Sequence, residues 1–418
     1  MAWRFWKVLA VVGVTGCTPM GPGVVSGPPE VVMAAPVMEM AGLAPAPVTR
    51  NALPDVNAGV VTAGDIDDAL NLAPFRRYQR GAARALSWPA MALGAPVLAQ
   101  LRGPSGAPAP GVRVTLRAPG ADTPFYDGYA GFDGMVTVFP AVLGAGRLDK
   151  VELRAFADEG ATTVAQTLSL GGARQRVDLP FAGIGAPDFL DLAFVIDTTG
   201  SMQDELDWLA ADIAAITGRL RTIAPGVDIR LGLVSYKAPG DPVVIRNFGF
   251  TRDTRAFVGW VQGEQAIGGA GGPEVVADAL RVGVDMPWRR GKGERILIQI
   301  GDEPPAQTKA HAFYAATRDA AARNVQVFGL GASGAEAQLE FLMRQAAVAT
   351  GGRYMFLTDD SSVGAGHAEP TISCYVVTAL SDLIKRVLVS EVSGNRAEPA
   401  AGEIIRRIGS YDAGRCVE

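Results

Sequence analysis

The chain has 418 residues, of which 48% are hydrophobic and 19% are charged, enough apolar material for two or three domains of ordinary size. Its net charge of −5 and aromatic content of 7% argue against a nucleic-acid-binding protein, because such proteins need a Lys/Arg surplus on one face. The two histidines and three cysteines, with no Cys-x-x-Cys pair, exclude a histidine-rich metal site and a zinc ribbon.

The first seventeen residues have the features of a signal peptide. Arg4 and Lys7 give a positive start, and residues 8–15 form an apolar run that is too short to span a bilayer, which takes ~20 apolar residues. The segment ends in Val-Thr-Gly-Cys, which resembles the bacterial lipobox. In that family the cysteine, here Cys17, is acylated and becomes the first residue of the mature protein. The alternative is an ordinary signal peptide with an incidental cysteine.

The lipobox resemblance implies a protein of the bacterial cell envelope that a lipid on Cys17 anchors to a membrane. Thr18 follows the cysteine, and because an Asp there retains lipoproteins of Gram-negative type in the inner membrane, Thr18 favours the outer membrane. With Cys17 lipidated in an oxidising compartment, Cys374 and Cys416 remain as the only pair for an intramolecular disulfide. The alternative is two free buried thiols.

A tether and a connecting segment of ambiguous structure are predicted next. Residues 18–60 hold eight prolines among many glycines, which favours extended chain over helix. Residues 61–90 include Thr-Ala-Gly-Asp-Ile-Asp-Asp, which resembles a segment often found upstream of the domains described below. Its aspartates, Asp65, Asp67 and Asp68, suggest a calcium loop, but no oxygen ligands follow at EF-hand spacing. A solvated turn and helix cap is therefore expected.

Residues 91–182 predict a small all-β sandwich at the N-terminal side of the main domain. Short runs with alternating polarity recur along this stretch, and Asp-Gly at 133–134 separates two apolar runs, which is a strong hairpin signal. The order G-x-P-x-P-G-V-R-V-T-L, followed by G-x-D-G-x-V-T-V-F-P, resembles the carboxypeptidase regulatory-like, transthyretin-type domain. In that family the domain is a non-catalytic spacer or binding module.

Residues 188–392 change to apolar strand-like runs that alternate with helical periods. This alternation predicts an α/β domain with a doubly wound, mostly parallel sheet and helices on both faces. Such sheets place their sites at the carboxyl ends of the strands. The last helix is predicted over residues 374–389, and residues 393–418 form a C-terminal tail.

The first strand of this domain, predicted over residues 190–196, leads into a cluster of oxygen-bearing side chains. Asp197, Thr199 and Ser201 fit an Asp-x-Ser/Thr-x-Ser pattern, which brings hard ligands for Mg²⁺, Mn²⁺ or Ca²⁺ to the strand end. Helix capping is the competing explanation. Residues 195–202 closely resemble the first metal-site loop of von Willebrand factor A domains, which have a Rossmann-like fold. Their site is called the metal-ion-dependent adhesion site.

Two further segments extend this resemblance. Residues 296–305 are similar to the third loop of the family, with Asp302 in its Asp position. In the second loop Glu274 falls where the family has a Thr, within a Gly-Gly…Pro-Glu variant that is familiar in the bacterial branch. The glycines of 268–272 are expected to let the backbone approach the ion. The resemblance implies a divalent-cation site, with Mg²⁺ favoured over Mn²⁺ and Ca²⁺, formed by Asp197, Thr199, Ser201, Glu274 and Asp302.

The function that the resemblance implies is recognition. In such a site, the open coordination position of the ion accepts an acidic side chain from a partner protein, as in cell adhesion. We therefore expect a lipid-anchored envelope protein that binds a protein ligand, is not an enzyme and does not bind nucleic acid. One alternative is a structural envelope protein without a ligand. The other is a metal-dependent hydrolase, for which no positioned general base stands out in the sequence.

Overall fold

A computed structural model describes residues 60–157, 162–269, 273–332, 334–361 and 370–417. The predicted signal peptide, the lipidation site at Cys17 and nearly all of the predicted tether lie outside the described residues. Within those ranges, no helix combines the length and the apolar character needed to cross a membrane.

The described ranges contain eighteen strands and seven α-helices. The strands are β1 (Thr62–Ile66), β2 (Val97–Arg102), β3 (Arg113–Arg117), β4 (Tyr126–Tyr129), β5 (Met135–Val138), β6 (Lys150–Ala157), β7 (Thr162–Ser169), β8 (Gln175–Asp178), β9 (Phe189–Asp197), β10 (Asp228–Tyr236), β11 (Ile245–Thr251), β12 (Gly293–Gly301), β13 (Gln326–Gly331), β14 (Tyr354–Thr358), β15 (Tyr375–Ala379), β16 (Arg406–Ile408), β17 (Tyr411–Asp412) and β18 (Arg415–Cys416). The helices are α1 (Leu72–Ala85), α2 (Gln203–Ile223), α3 (Thr254–Gln262), α4 (Val276–Val284), α5 (Ala310–Ala322), α6 (Ala337–Thr350) and α7 (Leu380–Ser393).

A nine-stranded sheet forms the centre of the α/β part, in the order β11-β10-β9-β12-β13-β14-β1-β15-β16. Five neighbouring strands in the middle of the sheet are parallel: β10, β9, β12, β13 and β14. The strands on either side of them, β11 at one edge and β1, β15 and β16 at the other, pair in antiparallel fashion. Apolar residues of α1, α4, α5 and α6 pack on one face, and those of α2, α3 and α7 pack on the other. The predicted α/β class is confirmed, with a sheet that is parallel in its middle and antiparallel at its sides.

Strand β1 comes from the segment whose structure the sequence left ambiguous. It lies between β14 and β15, antiparallel to both, and all five of its residues are buried. Gly64 is required there, because a Cβ atom at this position would lie 2.7 Å from the ring of Phe356. The central sheet therefore takes one of its inner strands from the chain that precedes β2–β8.

The three aspartates of this segment were expected in a solvated turn, and that expectation is wrong. Asp65, Asp67 and Asp68 are all buried, and arginines from distant parts of the chain pair with them. The ion pairs are Asp65 with Arg353 at 3.3 Å and with Arg386 at 3.1 Å, Asp67 with Arg396 at 2.8 Å, and Asp68 with Arg344 at 2.8 Å. We call these seven residues the aspartate–arginine cluster.

The predicted last helix divides into a strand and a helix. Residues 375–379 form β15, and α7 begins only at Leu380. The sequence of β15 is Tyr-Val-Val-Thr-Ala, and its aromatic and β-branched side chains favour an extended backbone. They pack well here because β15 lies between β1 and β16.

Strands β2–β8 form two small sheets around a shared apolar core. One has the order β5-β2-β8 and the other β4-β3-β6-β7. The predicted hairpin at Asp133-Gly134 is wrong, because the turn connects β4 of one sheet to β5 of the other. Both residues have a positive φ, 55° and 66° respectively, and a Cβ atom at Gly134 would lie 2.4 Å from the carbonyl oxygen of Leu101.

A disulfide joins Cys374 to Cys416, as predicted, with their Cα atoms 5.4 Å apart. It fixes the C-terminal segment, which also contributes β16 to the large sheet. The side chain of Asn71 strengthens this attachment: it donates to the carbonyl of Gly414 at 2.7 Å and accepts from the backbone N–H of Cys416 at 2.9 Å. The C-terminal segment is thus tied to the start of α1.

Candidate metal centre

Three loops meet at the carboxyl edge of the parallel strands. β9 ends at Asp197, and β12, its parallel neighbour, ends directly before Asp302. Glu274 lies just before α4 and its backbone N–H donates to the carbonyl of Pro304 at 3.2 Å. This bond ties the second loop to the third, so the carboxylates of all three loops face one small volume.

The carboxylates of Asp197, Glu274 and Asp302 form what we call the acidic cluster. One oxygen from each lies within 4.8 Å of the other two. Their side chains are buried, with residue exposures of 0%, 5% and 7%. Such a group of buried acids is costly unless a positive charge or a proton compensates it.

The two predicted hydroxyl ligands lie beside these carboxylates. The Oγ of Ser201 donates to Asp302 Oδ2 at 2.6 Å, and the Oγ1 of Thr199 donates to Glu274 Oε1 at 3.1 Å. The backbone N–H of Thr199 donates to Asp197 Oδ1 at 2.8 Å. The structure therefore brings together all five residues that the sequence singled out, including Glu274 of the second loop.

One oxygen of each carboxylate is left without a hydrogen-bond partner. These buried atoms are Asp197 Oδ2, Glu274 Oε2 and Asp302 Oδ1. Buried polar atoms are normally satisfied, so three orphan oxygens within one cluster make it a group that could hold a cation. Carboxylate and hydroxyl oxygens are hard ligands that suit Mg²⁺, Mn²⁺ or Ca²⁺, and the donor set fits an ion of this class.

The electrostatics of the cluster agree with this interpretation. Burial, reinforced by repulsion from Asp302, raises the pKa of Asp197. Burial raises the pKa of Glu274 as well, with further contributions from Asp197 and Asp302. Among the described residues no lysine or arginine forms an ion pair with any of the three. A bound divalent cation would supply the missing positive charge and lower both pKa values.

Lys237 fixes the first loop through hydrogen bonds to its backbone, a role that the sequence did not indicate. It follows β10, and its Nζ donates to the carbonyls of Thr198, Gln265 and Ile267, the last two at 2.9 and 2.6 Å. Three carbonyl acceptors occupy the whole ammonium group. Lys237 therefore joins two loops around the acidic cluster and is a positioning residue.

Tyr236, at the end of β10, supports the third loop. Its hydroxyl donates to the carbonyl of Ile300 at 3.3 Å. A Cβ atom at position 301 would lie 2.4 Å from that hydroxyl, so only glycine fits directly before Asp302. This explains the glycine at position 301 of the third loop.

The glycine-rich second loop approaches the first loop closely. Gly269 has φ 72°, and a Cβ atom there would lie 2.8 Å from the Cβ of Thr199. The carbonyl of Gly268 accepts from the N–H of Gly200 at 3.3 Å. The sequence predicted that these glycines admit the backbone to the ion; at the two described positions the close neighbours are protein side chains. Residues 270–272 lie outside the described ranges.

Comparison with known proteins gives a partial match. No protein-family model matches the chain. The alpha-protein kinase vwkA of Dictyostelium discoideum is 31% identical over 166 residues, which are 37% of this chain and 26% of that protein. The match therefore spans about a quarter of the length of this curated relative.

Solved structures give matches of low TM-score. They include the conserved hypothetical protein BatB from Bacteroides thetaiotaomicron (15% identity, 49% of this chain and 98% of that chain, TM-score 0.32). An aerotolerance-related membrane protein from Bacteroides fragilis has 15% identity, with 42% of this chain and 93% of that chain covered and a TM-score of 0.30. The pilus adhesin SpaC from Lactobacillus rhamnosus GG has 12% identity, with 56% and 30% covered and a TM-score of 0.33. Likenesses below 0.5 carry no argument about function.

Proposed function

We propose that the chain is a lipid-anchored protein of the bacterial cell envelope that binds a partner protein through a divalent cation of the adhesion-site type. The cation, with Mg²⁺ favoured, is held by Asp197, Thr199, Ser201, Glu274 and Asp302. One observation carries the proposal: the acidic cluster is buried, lacks a described cationic partner and leaves one oxygen of each carboxylate unpaired.

The surroundings of the cluster support a protein ligand. Ser201 is exposed at the rim, so a group from outside can reach an ion bound beneath it. Ile267 is 60% exposed and belongs to the loop that Lys237 ties to the first one. Ile267 would lie within reach of a protein that contacts the ion. The ligand group is an acidic side chain, because a hard cation with an open position prefers oxygen ligands.

Recognition is favoured over catalysis by the groups nearest the cluster. Burial and the three carboxylates raise the pKa of Tyr236 well above its ordinary value, so its hydroxyl stays neutral and cannot act as a base at neutral pH. The ammonium group of Lys237 is occupied by three carbonyls. The name of the Dictyostelium relative includes a kinase activity, which we do not assign to this chain.

The proposal is tested by pull-down from an envelope extract, with the full chain as bait in Mg²⁺ or in EDTA. Asp197→Asn removes one carboxylate, and Asp207→Asn, at an exposed position on α2, is the matched control. We expect the partner to be retained by wild type and by the control in Mg²⁺ only, and to be lost with Asp197→Asn. Retention that EDTA does not change would favour a structural protein, and turnover of a substrate would favour a hydrolase.

The anchor is tested separately. Cys17→Ser should abolish membrane fractionation and leave a precursor of higher mass, because acylation and cleavage both need the thiol. Fractionation that stays the same in this variant would remove the lipoprotein proposal without affecting the metal centre. Residues 91–182 are then a module of the carboxypeptidase regulatory-like type that follows β1 of the central sheet in the chain, and the outer membrane is the favoured location.

A further inference from the structure

Strand β7 is a sheet edge that lacks the usual protection against pairing. It lies at the end of the order β4-β3-β6-β7, and among the described strands only β6 is bonded to it. Its eight residues, Thr-Thr-Val-Ala-Gln-Thr-Leu-Ser, include no charged residue, glycine or proline, and its pairing with β6 runs over the full length without a bulge. Natural edge strands are usually blunted by short length, charge, proline or a bulge.

The other edges of the three larger sheets are charged or short. β11 contains Arg246 and has a register shift in its pairing with β10. β16 has three residues, two of them arginines, and β4, β5 and β8 have four residues each. β7 is therefore the longest uncharged edge among the described strands.

Alternate residues of β7 point their backbone groups away from β6. The N–H of Leu170 donates to the carbonyl of Asp149 at 3.0 Å, so by the alternation of an antiparallel ladder the even-numbered residues bond to β6 and the odd-numbered ones face outward. Ser169 agrees with this alternation, because the side-chain amide of Gln175 bonds its N–H and its C=O at 2.9 and 2.8 Å. The remaining outward groups belong to three exposed residues, Thr163, Ala165 and Thr167.

We infer that β7 pairs with β7 of a second copy of the chain, in antiparallel orientation about a two-fold axis at Ala165. Gln175 closes the edge at Ser169, so the available groups run from Thr163 to Thr167, and Ala165 is their centre. In this register Ala165 faces Ala165 of the second copy, and Thr163 faces Thr167 of the second copy. Three such pairs form six backbone hydrogen bonds, and facing threonines are a favourable cross-strand pair.

The charge pattern selects a second copy over a charged partner. A strand from an acidic or a basic protein finds no opposite charge on β7, whereas β7 itself brings no charge to the contact. On the same face, Glu152 and Arg154 of β6 lie opposite Thr167 and Ala165 and pair with each other at 2.6 Å. In the dimer, three strand spacings, about 14 Å, separate the two Arg154 side chains. This exceeds the Debye length of about 10 Å at 0.1 M salt.

Pairing through β7 leaves the metal centre free. Strands β2–β8 meet the α/β part at the start of β12, where Gly293 and Arg295 line a cavity together with Tyr126 of β4. Asp302 follows the far end of this nine-residue strand, about 26 Å away. The dimer therefore presents two metal centres. The inference does not rest on the proposed function, because β7 contributes no metal-centre residue and its pairing needs neither acylation nor a bound cation.

The test measures dimerisation by sedimentation velocity at increasing protein concentration. It uses the full chain with Cys17→Ser, so that no acyl group contributes. Ala165→Lys and Ala165→Glu each place two like charges face to face at the two-fold axis. The control is Ala141→Lys, which makes the same substitution at an exposed position outside the strands. Thermal unfolding of each variant shows whether it is folded.

We expect wild type and Ala141→Lys to dimerise equally, in Mg²⁺ and in EDTA alike. Ala165→Lys and Ala165→Glu should each weaken dimerisation about fivefold, since like charges directly opposite each other cost ~1 kcal/mol. A 1:1 mixture of these two variants should restore it, because Lys then faces Glu. The signal segment is common to all variants, so its own association cancels in the comparison.

Three results would overturn the inference. A wild type that stays monomeric at every concentration would show that the edge does not pair. Dimers that Ala165→Lys does not weaken would form through another surface. A mixture that fails to restore dimers would contradict pairing about Ala165.

Discussion

Two groups of three buried carboxylates lie in the same α/β part and are compensated in different ways. In the aspartate–arginine cluster, Asp65, Asp67 and Asp68 face four arginines from α6, α7 and the segments that follow α6 and α7. In the acidic cluster, Asp197, Glu274 and Asp302 face one another. The first group has its positive charges within the chain, and the second has none among the described residues.

The difference separates a structural group from a binding group. Guanidinium groups convert buried aspartates into fixed ion pairs, which hold β1 in the middle of the sheet. For Asp65, nearby Arg386 and Arg353 lower the pKa against the opposing effect of burial, so that its net pKa lies below the ordinary value. For Asp197 and Glu274 no such cation is present, and burial raises the pKa. Three such acids that face one another, with no described cation beside them, make the second group a candidate binding site.

The largest effect should come from breaking the aspartate–arginine cluster. Arg344→Met leaves Asp68 and Glu340 buried without their cation, a loss that typically costs about 3–5 kcal/mol. Arg323→Met, which breaks a half-exposed pair with Asp285, should cost below about 1 kcal/mol. Denaturant unfolding of both variants measures the contrast. Equal costs would mean that burial does not distinguish the two pairs.

Removal of the disulfide should have the next largest effect on the free energy of unfolding, because the disulfide fixes the segment that supplies Arg396. Cys374→Ala/Cys416→Ala opens a loop with a sequence separation of 42 residues, for which chain entropy gives about 3–4 kcal/mol. The pair between Arg396 and Asp67 loses its anchorage at the same time. Reductant should lower the melting temperature of wild type by the same amount and leave the double variant unchanged. A wild type that is insensitive to reductant would contradict this.

Metal binding should stabilise the protein by a smaller amount. A divalent cation at 100 times its Kd adds about 2.7 kcal/mol to the free energy of unfolding. Asp197→Asn should lose this gain while remaining folded, since one charge fewer also reduces repulsion in the cluster. Asp207→Asn should keep it. If Mg²⁺, Mn²⁺ and Ca²⁺ all leave the melting temperature of wild type unchanged, the acidic cluster does not bind a divalent cation.

The residues of the acidic cluster were predictable because their signals are local. Asp197, Thr199 and Ser201 lie within five consecutive residues. Oxygen-bearing side chains directly after a buried strand favour a metal site or a helix cap. Asp302 ends the neighbouring strand, so parallel pairing alone brings it to the same edge. The positioning role of Lys237 was not predictable, because its partners are backbone carbonyls, which leave no trace in the sequence.

The position of β1 was not predictable by the same route. Its sequence, Thr-Ala-Gly-Asp-Ile, is short and contains an aspartate, which is unfavourable in a central strand. The arginines that make this aspartate acceptable, Arg353 and Arg386, lie 288 and 321 residues away. Local polarity therefore indicated a solvated turn, and only the tertiary structure shows the compensating charges.

A third group of buried acids shows another way of compensating charge. Glu294 and Glu391 line a cavity of about 160 Å³ between the large sheet and the two small ones. Both accept from the amide of Gln326, at 3.1 and 3.3 Å, and Glu391 Oε1 has no partner. Burial, reinforced by repulsion from Glu294, raises the pKa of Glu391 to about 8, and the opposing effect of Arg353 does not outweigh them. At neutral pH a proton, and not a cation, neutralises this side chain.

Between pH 6 and 8, this proton gives the smallest of the expected effects. Because the pKa of Glu391 is higher in the folded than in the unfolded chain, where it is near 4.5, its stabilising contribution is complete below pH ~4.5 and is lost as the pH rises towards 8. The expected loss is about 1 kcal/mol per pH unit in that window. Glu391→Gln keeps the shape and cannot ionise, so it should reduce the slope of the unfolding free energy between pH 6 and 8. The slope that remains belongs to Glu294, whose pKa burial raises to about 7. Glu336→Gln, at an exposed position, should leave the slope as in wild type. An unchanged slope in Glu391→Gln would mean that Glu391 is already ionised in the folded protein, which would contradict this expectation.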